Sequence, residues 1–277
     1  MATKKRLNIL IFGASSSIGS YLAKKYYDEG HNIYLFYRNK KKNLLIKKNN
    51  SGQILKEFKN FNINSNKDLK KKIHKIKNIV KKANVIINTI GKQGEIKNFF
   101  KLSINKFLNT FNTNFFSYVY FFKSIYPYIR LKKDLLLIIF SGGGTTSFRK
   151  NFSSYSISKI SLVKLVEIIA NEINNKNIRI NAISPGIIKS QMIDEIIKNK
   201  HSVDNQELKK IKREIINSKK SLEKIYDLIS FLMSKNGRRI NGKMISSRWD
   251  NFKNWNFVDI KKIQKNEFFT LRRKTKI

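Results

Sequence analysis

The chain has 277 residues, 41% of them hydrophobic, which is enough to form the core of one large domain. It has no cysteine, which excludes disulfides and thiolate catalysis, and its three histidines stand singly, so we expect no metal site. The formal net charge is +40, but the 58 lysines and arginines are spread along the whole chain, which argues against a dedicated nucleic-acid function.

Two features of the sequence bear on its location. No apolar run approaches the ~20 residues that span a bilayer. The basic N-terminus leads straight into a short apolar run and a glycine turn, whereas a secretory signal has a longer apolar stretch. We therefore expect a cytoplasmic protein without a membrane segment.

Short β-rich apolar runs alternate with longer segments of helical period, which predicts βαβ units and a parallel sheet. The predicted strands are Asn8–Phe12, Asn32–Tyr37, Gln53–Phe61, Val85–Thr89, Leu135–Phe140, Ile178–Ser184 and Lys243–Ile245. The predicted helices are Ile18–Glu29, Asp68–Lys82, a long helix Ile104–Tyr126 closed by Pro127, Ser156–Ile173 and Leu222–Met233. Together they indicate a single α/β domain over residues 1–245, a doubly wound parallel sheet of the Rossmann-like type.

Two segments fall outside this core. Gln191–Asn217 is polar and helical, and the tail from Ser246 to Ile277 is rich in arginine and aromatic residues. We expect the tail to pack on the core or over the substrate pocket.

The first predicted strand ends in the turn Gly13-Ala-Ser-Ser-Ser17-Ile-Gly19, which enters a helix. Glycine permits a tight turn, and a helix N-terminus offers free N–H groups and a positive dipole end to a pyrophosphate. The spacing is not that of the dinucleotide fingerprint with glycines at positions one, three and six. By itself the turn therefore leaves open an ordinary glycine and serine turn of an α/β protein.

With its neighbours, this turn resembles that of the short-chain dehydrogenase/reductase family, Thr-Gly-Ala-Ser-Ser-Gly-Ile-Gly. Phe12 stands in place of the threonine and Ser17 in place of the middle glycine. Further motifs follow in the family's order: Asn88-Thr-Ile-Gly91, Asn114, Tyr155-Ser-Ile-Ser-Lys159 and Pro185-Gly186. The resemblance covers residues 7–192 and continues more loosely to Met233.

The resemblance implies an oxidoreductase that transfers a hydride between a nicotinamide cofactor and a carbonyl or alcohol. The catalytic residues would be Tyr155 as acid and base, Lys159 beside it, Asn114 supporting a proton-relay water, and Ser141. The cofactor would contact Gly13, Ser15, Ser16, Ser17, Ile18, Gly19, Arg38, Asn62, Ile63, Asn88, Gly91, Tyr155, Lys159, Pro185, Gly186, Ile188 and Ser190.

The chemistry explains why a tyrosine and a lysine stand four residues apart. A free tyrosine has a pKa of ~10 and is a poor proton donor or acceptor near neutrality. Four residues make one helical turn, so Lys159 projects beside Tyr155. We expect the ammonium group to lower the pKa of Tyr155 by favouring the phenolate.

The substrate-orienting serine does not stand at the family's position. The family places it thirteen residues before the tyrosine, where this chain has Gly142. Ser141 would take the role if the loop carries one inserted glycine, and Thr145 or Thr146 are alternatives.

The residues after the second predicted strand indicate whether the cofactor carries a 2′-phosphate, as NADP does, or lacks it, as NAD does. NAD preference usually needs a carboxylate there, but the chain reads Tyr37-Arg38-Asn39-Lys40. Arginine suits a 2′-phosphate, so we expect NADP, with NAD possible. Asn62-Ile63 resembles the family's Asp-Val pair beside the adenine.

Two functions remain in competition. The first is an NADP-dependent oxidoreductase acting on a small carbonyl or alcohol. The second is a catalytically weak cofactor-binding protein that acts as a sensor or nucleic-acid partner, suggested by Gly142 and the charge of +40. Because family members assemble through their two long helices, we also expect a homo-oligomer, a dimer or a tetramer.

Overall fold

Seven parallel strands form one sheet in the computed structural model, which describes residues 5–39, 44, 46–47, 52–132, 134–173 and 175–272. Across the sheet the order is β3-β2-β1-β4-β5-β6-β7, so the winding reverses between β1 and β4. The strands are β1 (Asn8–Phe12), β2 (Asn32–Phe36), β3 (Leu55–Phe58), β4 (Val85–Asn88), β5 (Leu135–Phe140), β6 (Ile178–Ser184) and β7 (Met244–Ser246). The predicted doubly wound α/β fold is confirmed.

The connections between strands carry the helices. They are α1 (Ser17–Asp28), α2 (Asn66–Lys75), α3 (Lys77–Lys82), α4 (Ile104–Phe111), α5 (Ser117–Ile129), α6 (Ser153–Glu172), α7 (Gln191–Lys198), α8 (Asn205–Ile215), α9 (Ser218–Met233) and α10 (Phe257–Lys265). Short 3-10 turns occupy Phe99–Lys101, Lys200–Ser202, Gly237–Arg239 and Phe252–Asn254.

The central strands are buried on both faces, and alternate residues of β1 point to different cores. Ile9 and Ile11 pack in the cluster that includes residues of α1, α9 and α10. Leu10 and Phe12 pack in the opposite cluster, with residues of α2, α5 and α6. This two-residue period is the geometry of a strand, and the continuous apolar runs follow from burial on both faces.

The long predicted helix is interrupted. A π-helical turn over Asn112–Phe116 joins α4 to α5, and α5 continues past Pro127 to Ile129. Pro127 cannot donate to the carbonyl one turn earlier, but this removes a single hydrogen bond and the helix ends two residues later. The prediction that the helix ends at Tyr126, closed by Pro127, is therefore wrong by three residues.

Two other elements are shorter than predicted. Asp68–Lys82 is broken at Ile76, whose φ of −105° and ψ of 14° lie outside the helical range, and the first half begins earlier, after the N-cap Ser65. The third strand is confined to Leu55–Phe58, a sheet edge that is only partly buried. An edge strand pairs with only one neighbour, and β3 is also weakly buried. Fewer hydrogen bonds and fewer apolar contacts are therefore available to lengthen the strand here.

The tail lies against the sheet and its helices. Phe252 and Ile260 are buried in the core with α9, and the N–H of Met244 donates to the carbonyl of Phe269 at 2.8 Å. Residues 273–277 lie outside the described part of the chain. Of the helices in the described part, none has the length and apolar character to cross a bilayer.

Candidate active site

A large cleft opens beyond the C-terminal ends of the strands, beside the point where the winding reverses between β1 and β4. In open α/β sheets, ligands bind in this crevice. One end is bounded by the β1–α1 turn, and the other by the loop after β5, by α7 and α8, and by residues 246–250.

The β1–α1 turn presents a helix N-terminus to the cleft. Gly13 has a φ of +77°, and a Cβ there would lie 2.6 Å from Thr89 Oγ1, so only glycine fits. Within the described residues, the N–H groups of Ser17 and Ile18 have no hydrogen-bond partner, and both residues line the cleft. Two free N–H groups at the start of a twelve-residue helix fit a pyrophosphate.

Short hydroxyl side chains fix this turn. Ser16 caps α1 by accepting from the N–H of Gly19 at 2.9 Å, and its Oγ lies 2.8 Å from Thr89 Oγ1. Thr89 donates to the carbonyl of Gly13 at 2.9 Å. These bonds join the end of β4 to the start of α1.

Tyr155 and Lys159 lie one turn apart on α6 and both line the cleft while being almost fully buried. Lys159 Nζ donates to the carbonyl of Phe140 at 2.9 Å, at the end of β5. It lies 6.0 Å from the centroid of the Tyr155 ring. Burial lowers the pKa of Lys159 to about 8.

The expected effect of Lys159 on Tyr155 is not found. Burial raises the pKa of Tyr155 above its ordinary value, and the cation that opposes this rise is Arg149.

Asn114 lies in the middle of the π-helical turn and is fully buried. Its Oδ1 accepts from the N–H of Lys92 at 2.9 Å, and its Nδ2 donates to the carbonyl of Lys92 at 3.0 Å and to Ser158 Oγ at 3.1 Å. The side chain therefore fixes the segment after β4 to α6. A Cβ on Gly91 would meet Asn114 Oδ1 and Lys159 Nζ at 3.4 Å, so glycine keeps this part of the cleft open.

The glycine loop after β5 leaves no room for a serine at 142. A Cβ on Gly142 would overlap the hydroxyl of Tyr155. Ser141 is buried and lines the cleft, but its hydroxyl donates to the carbonyl of Ile183, at 3.4 Å. Thr145 donates to the carbonyl of Gly142 at 2.6 Å, and Thr146 is exposed on the cleft wall.

Arg38, Asn62 and Ile63 lie at the far end of the cleft. Arg38 is exposed, and Tyr37 before it donates its hydroxyl to Glu57 of β3. Burial and this carboxylate raise the pKa of Tyr37 to about 12. Lys40 lies outside the described residues.

The family of the chain follows from a comparison with family models. A short-chain dehydrogenase model, described as enoyl-(acyl carrier protein) reductase, matches residues 13–247. The chain belongs to the short-chain dehydrogenase/reductase family. The resemblance stated from the motifs is thus confirmed.

Individual relatives are distant. A chloroplastic tropinone reductase homolog of Arabidopsis thaliana is 28% identical over 44% of this chain, and the match spans 38% of that protein. Dehydrogenase/reductase SDR family member 4 of Caenorhabditis elegans is 24% identical over 66% of this chain and 71% of its own length. A solved short-chain dehydrogenase of Shigella flexneri 2a, complexed with NADP, has a TM-score of 0.71 at 17% identity, over 88% of this chain and 98% of its own.

Most of the site residues predicted from the short-chain dehydrogenase motifs converge on the cleft. Those that line it are Gly13, Ser15, Ser16, Ser17, Ile18, Arg38, Asn62, Ile63, Gly91, Ser141, Tyr155, Lys159, Pro185, Gly186, Ile188 and Ser190. Gly19, Asn88 and Asn114 are buried behind it instead.

Three residues of this short-chain dehydrogenase site were missed by sequence reasoning. Thr89 was passed over inside Asn88-Thr-Ile-Gly91, although a hydroxyl next to the phosphate turn was a usable signal. Arg149 contacts the glycine loop, and Arg248 pairs with Glu214 of α8. Neither arginine stood out among 58 basic residues.

Proposed function

We propose that the protein is an NADP-preferring oxidoreductase that interconverts a carbonyl and an alcohol, with Tyr155 as acid and base assisted by Lys159. One observation carries the proposal. Both side chains are buried one helical turn apart in a cleft whose other end is a free helix N-terminus suited to a pyrophosphate.

The bound nicotinamide would supply or accept the hydride. The chain's own part is the proton, which Tyr155 gives to the carbonyl oxygen in reduction and removes from the alcohol in oxidation. Burial of Tyr155 keeps bulk water from competing for that transfer.

Lys159 is suited to work with both cofactor and tyrosine. Its position between Gly91 and Phe140 places an ammonium group at the floor of the cleft. A pKa of about 8 keeps it mostly charged at neutral pH, so it can hold a ribose hydroxyl and, through that hydroxyl, assist Tyr155. Asn114 would position this floor, and Ser141 would contact the substrate if its hydroxyl turned from Ile183.

Arg38 supports the NADP preference. It is an exposed cation at the adenosine end of the cleft, without a carboxylate at the neighbouring positions 37 and 39. A guanidinium binds a 2′-phosphate through charge-assisted hydrogen bonds, whereas a ribose diol prefers a carboxylate. The Shigella flexneri structure complexed with NADP is consistent with this choice.

The partners follow from the same proposal. A small carbonyl or alcohol would enter over the glycine loop, bordered by the tail through Arg248 and Trp249. We also propose that the protein is cytoplasmic, and that it forms a homo-oligomer because α4, the π-helical turn, α5 and α6 present large apolar side chains to solvent. These exposed residues are Ile104, Leu108, Phe116, Tyr126, Ile157, Ile160 and Ile168.

The second candidate is a cofactor-binding protein with little turnover. Gly142 favours it, because the position that carries the family's serine holds no side chain and is filled by the Tyr155 hydroxyl. Weak polarisation of the substrate carbonyl would slow the reaction without affecting cofactor affinity.

One experiment separates these candidates. NADPH and NADH binding is measured by nicotinamide fluorescence, and NADPH consumption is followed with a panel of ketones, aldehydes and sugars, for wild type, Tyr155→Phe and Arg38→Ala. We expect turnover that Tyr155→Phe abolishes while cofactor binding persists, and about tenfold weaker NADPH binding in Arg38→Ala with NADH unaffected. Cofactor binding without turnover on any substrate would instead support the binding protein.

A further inference from the structure

Arg149 lies in the loop between β5 and α6 and lines the cleft beside Tyr155. Its side chain is only 12% exposed, although it carries a full charge. A buried charge of this kind is rare unless it is paired and serves a purpose.

Three contacts hold the guanidinium of Arg149 in one place. Its Nε donates to Glu207 Oε1 of α8 at 2.8 Å, and its Nη2 contacts the same carboxylate. Its Cζ stacks 3.7 Å from the ring centroid of Phe152. A planar guanidinium that makes two hydrogen bonds and stacks on an aromatic ring has little freedom to move.

The glycine loop is shaped around this side chain. The three atoms nearest to a Cβ on Gly143 would all belong to Arg149, with Cδ and Nη1 at 3.3 Å, whereas a Cβ on Gly144 would first overlap Ser156. Gly143 therefore lets Arg149 pass close to the backbone of the loop. Gly142, next to it, leaves the space for the hydroxyl of Tyr155. The loop thus brings the arginine and the tyrosine to one place.

The geometry sets Arg149 against Tyr155, with its Cζ 5.8 Å from the ring centroid. The other polar or charged groups around the phenol come from different elements. Lys159 of α6 is bonded to Phe140, and Tyr118 of α5 donates to the carbonyl of Ile90. Lys92 and Glu207 of α8 line the same cleft, and Glu207 is hydrogen-bonded to Arg149.

These cations differ in how long they keep their charge as pH rises. Burial lowers the pKa of Lys159 to about 8, so its ammonium is lost over the range in which a tyrosine ionises. A guanidinium, by contrast, stays charged in proteins. The positive charge that the loop brings to Tyr155 therefore does not depend on the pKa of Lys159.

We propose that Arg149, held by Glu207 and Phe152, is a positioning residue that stabilises the phenolate form of Tyr155 from the side of the glycine loop. The proposal rests on the proposed role of Tyr155 as acid and base. The cation that stabilises the phenolate then comes from the loop between β5 and α6, through Arg149, and not only from Lys159 of α6. Glu207 holds Arg149 against α8.

The test is the ionisation of Tyr155 itself, measured without turnover. Tyrosinate absorbance is titrated from pH 8 to about 12.5 with saturating NADP⁺, and the same variant carrying Tyr155→Phe is subtracted. Removing the guanidinium in Arg149→Gln should raise the pKa of Tyr155 by about one unit, since a charge near 6 Å is partly offset by Glu207. The matched control is Lys150→Gln, which removes one neighbouring exposed charge and should leave the inflection in place.

Arg149→Lys keeps the charge but loses the stacked, two-point contact, so we expect an upward shift smaller than that of Arg149→Gln. It also serves if Arg149→Gln does not fold, as judged by circular dichroism. An unchanged inflection in a folded Arg149→Gln, or an equal shift in Lys150→Gln, would overturn the proposal. A shift specific to Arg149 in a protein that turns over no substrate would support it while refuting the enzymatic function.

Where turnover is measurable, its pH profile gives a second readout. The phenolate is required for alcohol oxidation and the phenol for carbonyl reduction. In both directions the inflection assigned to Tyr155 should move to higher pH in Arg149→Gln by the same unit. A purely structural role of Arg149 would lower the rate at all pH values without moving the inflection.

Discussion

The cleft has two halves that are held by different forces. The cofactor half consists of the β1–α1 turn and the end of β4, and the substrate half of the glycine loop 141–144, α7, α8 and residues 246–250. Short neutral groups bonded to backbone fix the cofactor half, as in the contacts of Thr89 with Gly13 and Ser16. Long charged side chains bonded to each other fix the substrate half, through Arg149 with Glu207 and Arg248 with Glu214.

This difference indicates which changes each half can accept. Short contacts to backbone carbonyls leave no space for an added atom, so the cofactor half should fail on small increases in volume. Ion pairs between long side chains allow rearrangement, and their net contribution depends on how well each charge stays paired. The substrate half should therefore respond to charge more than to size.

The largest expected effect is at Gly13 in the cofactor half. Gly13→Ala adds a Cβ at 2.6 Å from Thr89 Oγ1 at a φ of +77°. We expect the free energy of unfolding to fall by about 3 kcal/mol, from left-handed strain plus overpacking. NADPH binding, measured by fluorescence, should weaken by about 100-fold.

The matched control separates strain from packing. Gly30 has a φ of +86°, but no atom lies within 4 Å of the Cβ that alanine would add. Gly30→Ala should lower the free energy of unfolding by about 1 kcal/mol and leave NADPH binding unchanged. Equal effects of the two variants in urea denaturation would show that the cofactor half is not sterically tight.

The second-largest effect is expected at Gly142, where the two halves of the cleft meet. Gly142→Ser introduces the family's residue, but its Cβ would overlap the hydroxyl of Tyr155. Because small displacements of a catalytic group are costly, turnover should fall by about 100-fold. Steady-state kinetics should show a much smaller fall for Gly143→Ala, whose Cβ would meet Arg149 at 3.3 Å but would not overlap Tyr155. Faster turnover in Gly142→Ser would mean that Tyr155 moves aside and that the loop accepts the family's geometry.

The smallest effect is expected for the charge pairs of the substrate half. Arg248→Met leaves Glu214, which is 5% exposed, without this partner. We expect a loss of about 2 kcal/mol in the free energy of unfolding, moderated because Arg248 is itself partly exposed. The double variant Arg248→Met with Glu214→Leu should recover most of this loss, which thermal denaturation would detect. No recovery would mean that packing around Glu214 matters more than its charge.

The fold was predictable because its signals are local and repeated. Leu135–Phe140 is a strand in both the prediction and the structure, since a continuous apolar run bounded by polar residues has few other interpretations. The break at Ile76 was not predictable, because the helical period of the apolar residues continues across it. Helix ends were displaced by one to several residues for the same reason.

The candidate site also has one part that the sequence predicted and one part that it did not. Glycine, tyrosine and lysine motifs indicated the cofactor half and the positions of Tyr155 and Lys159 on α6. The environment of Tyr155 depends on Arg149 and Glu207, which come from different segments and meet only in the folded chain. In a sequence with 58 basic residues, composition gives no reason to single out one of them.

The π-helical turn at Asn112–Phe116 has a consequence for how this chain can lose or gain residues. A π turn holds one residue more than an α turn, so it acts as a single-residue insertion between α4 and α5. A deletion of one residue there would let the two helices merge into one regular helix. Because the π turn absorbs the extra residue, α4 and α5 would keep nearly the same relative rotation, and the deletion would mainly displace Asn114 from Lys92 and Ser158. The fold would accept this deletion more readily than the site, so the length of this helix is constrained by chemistry rather than by packing.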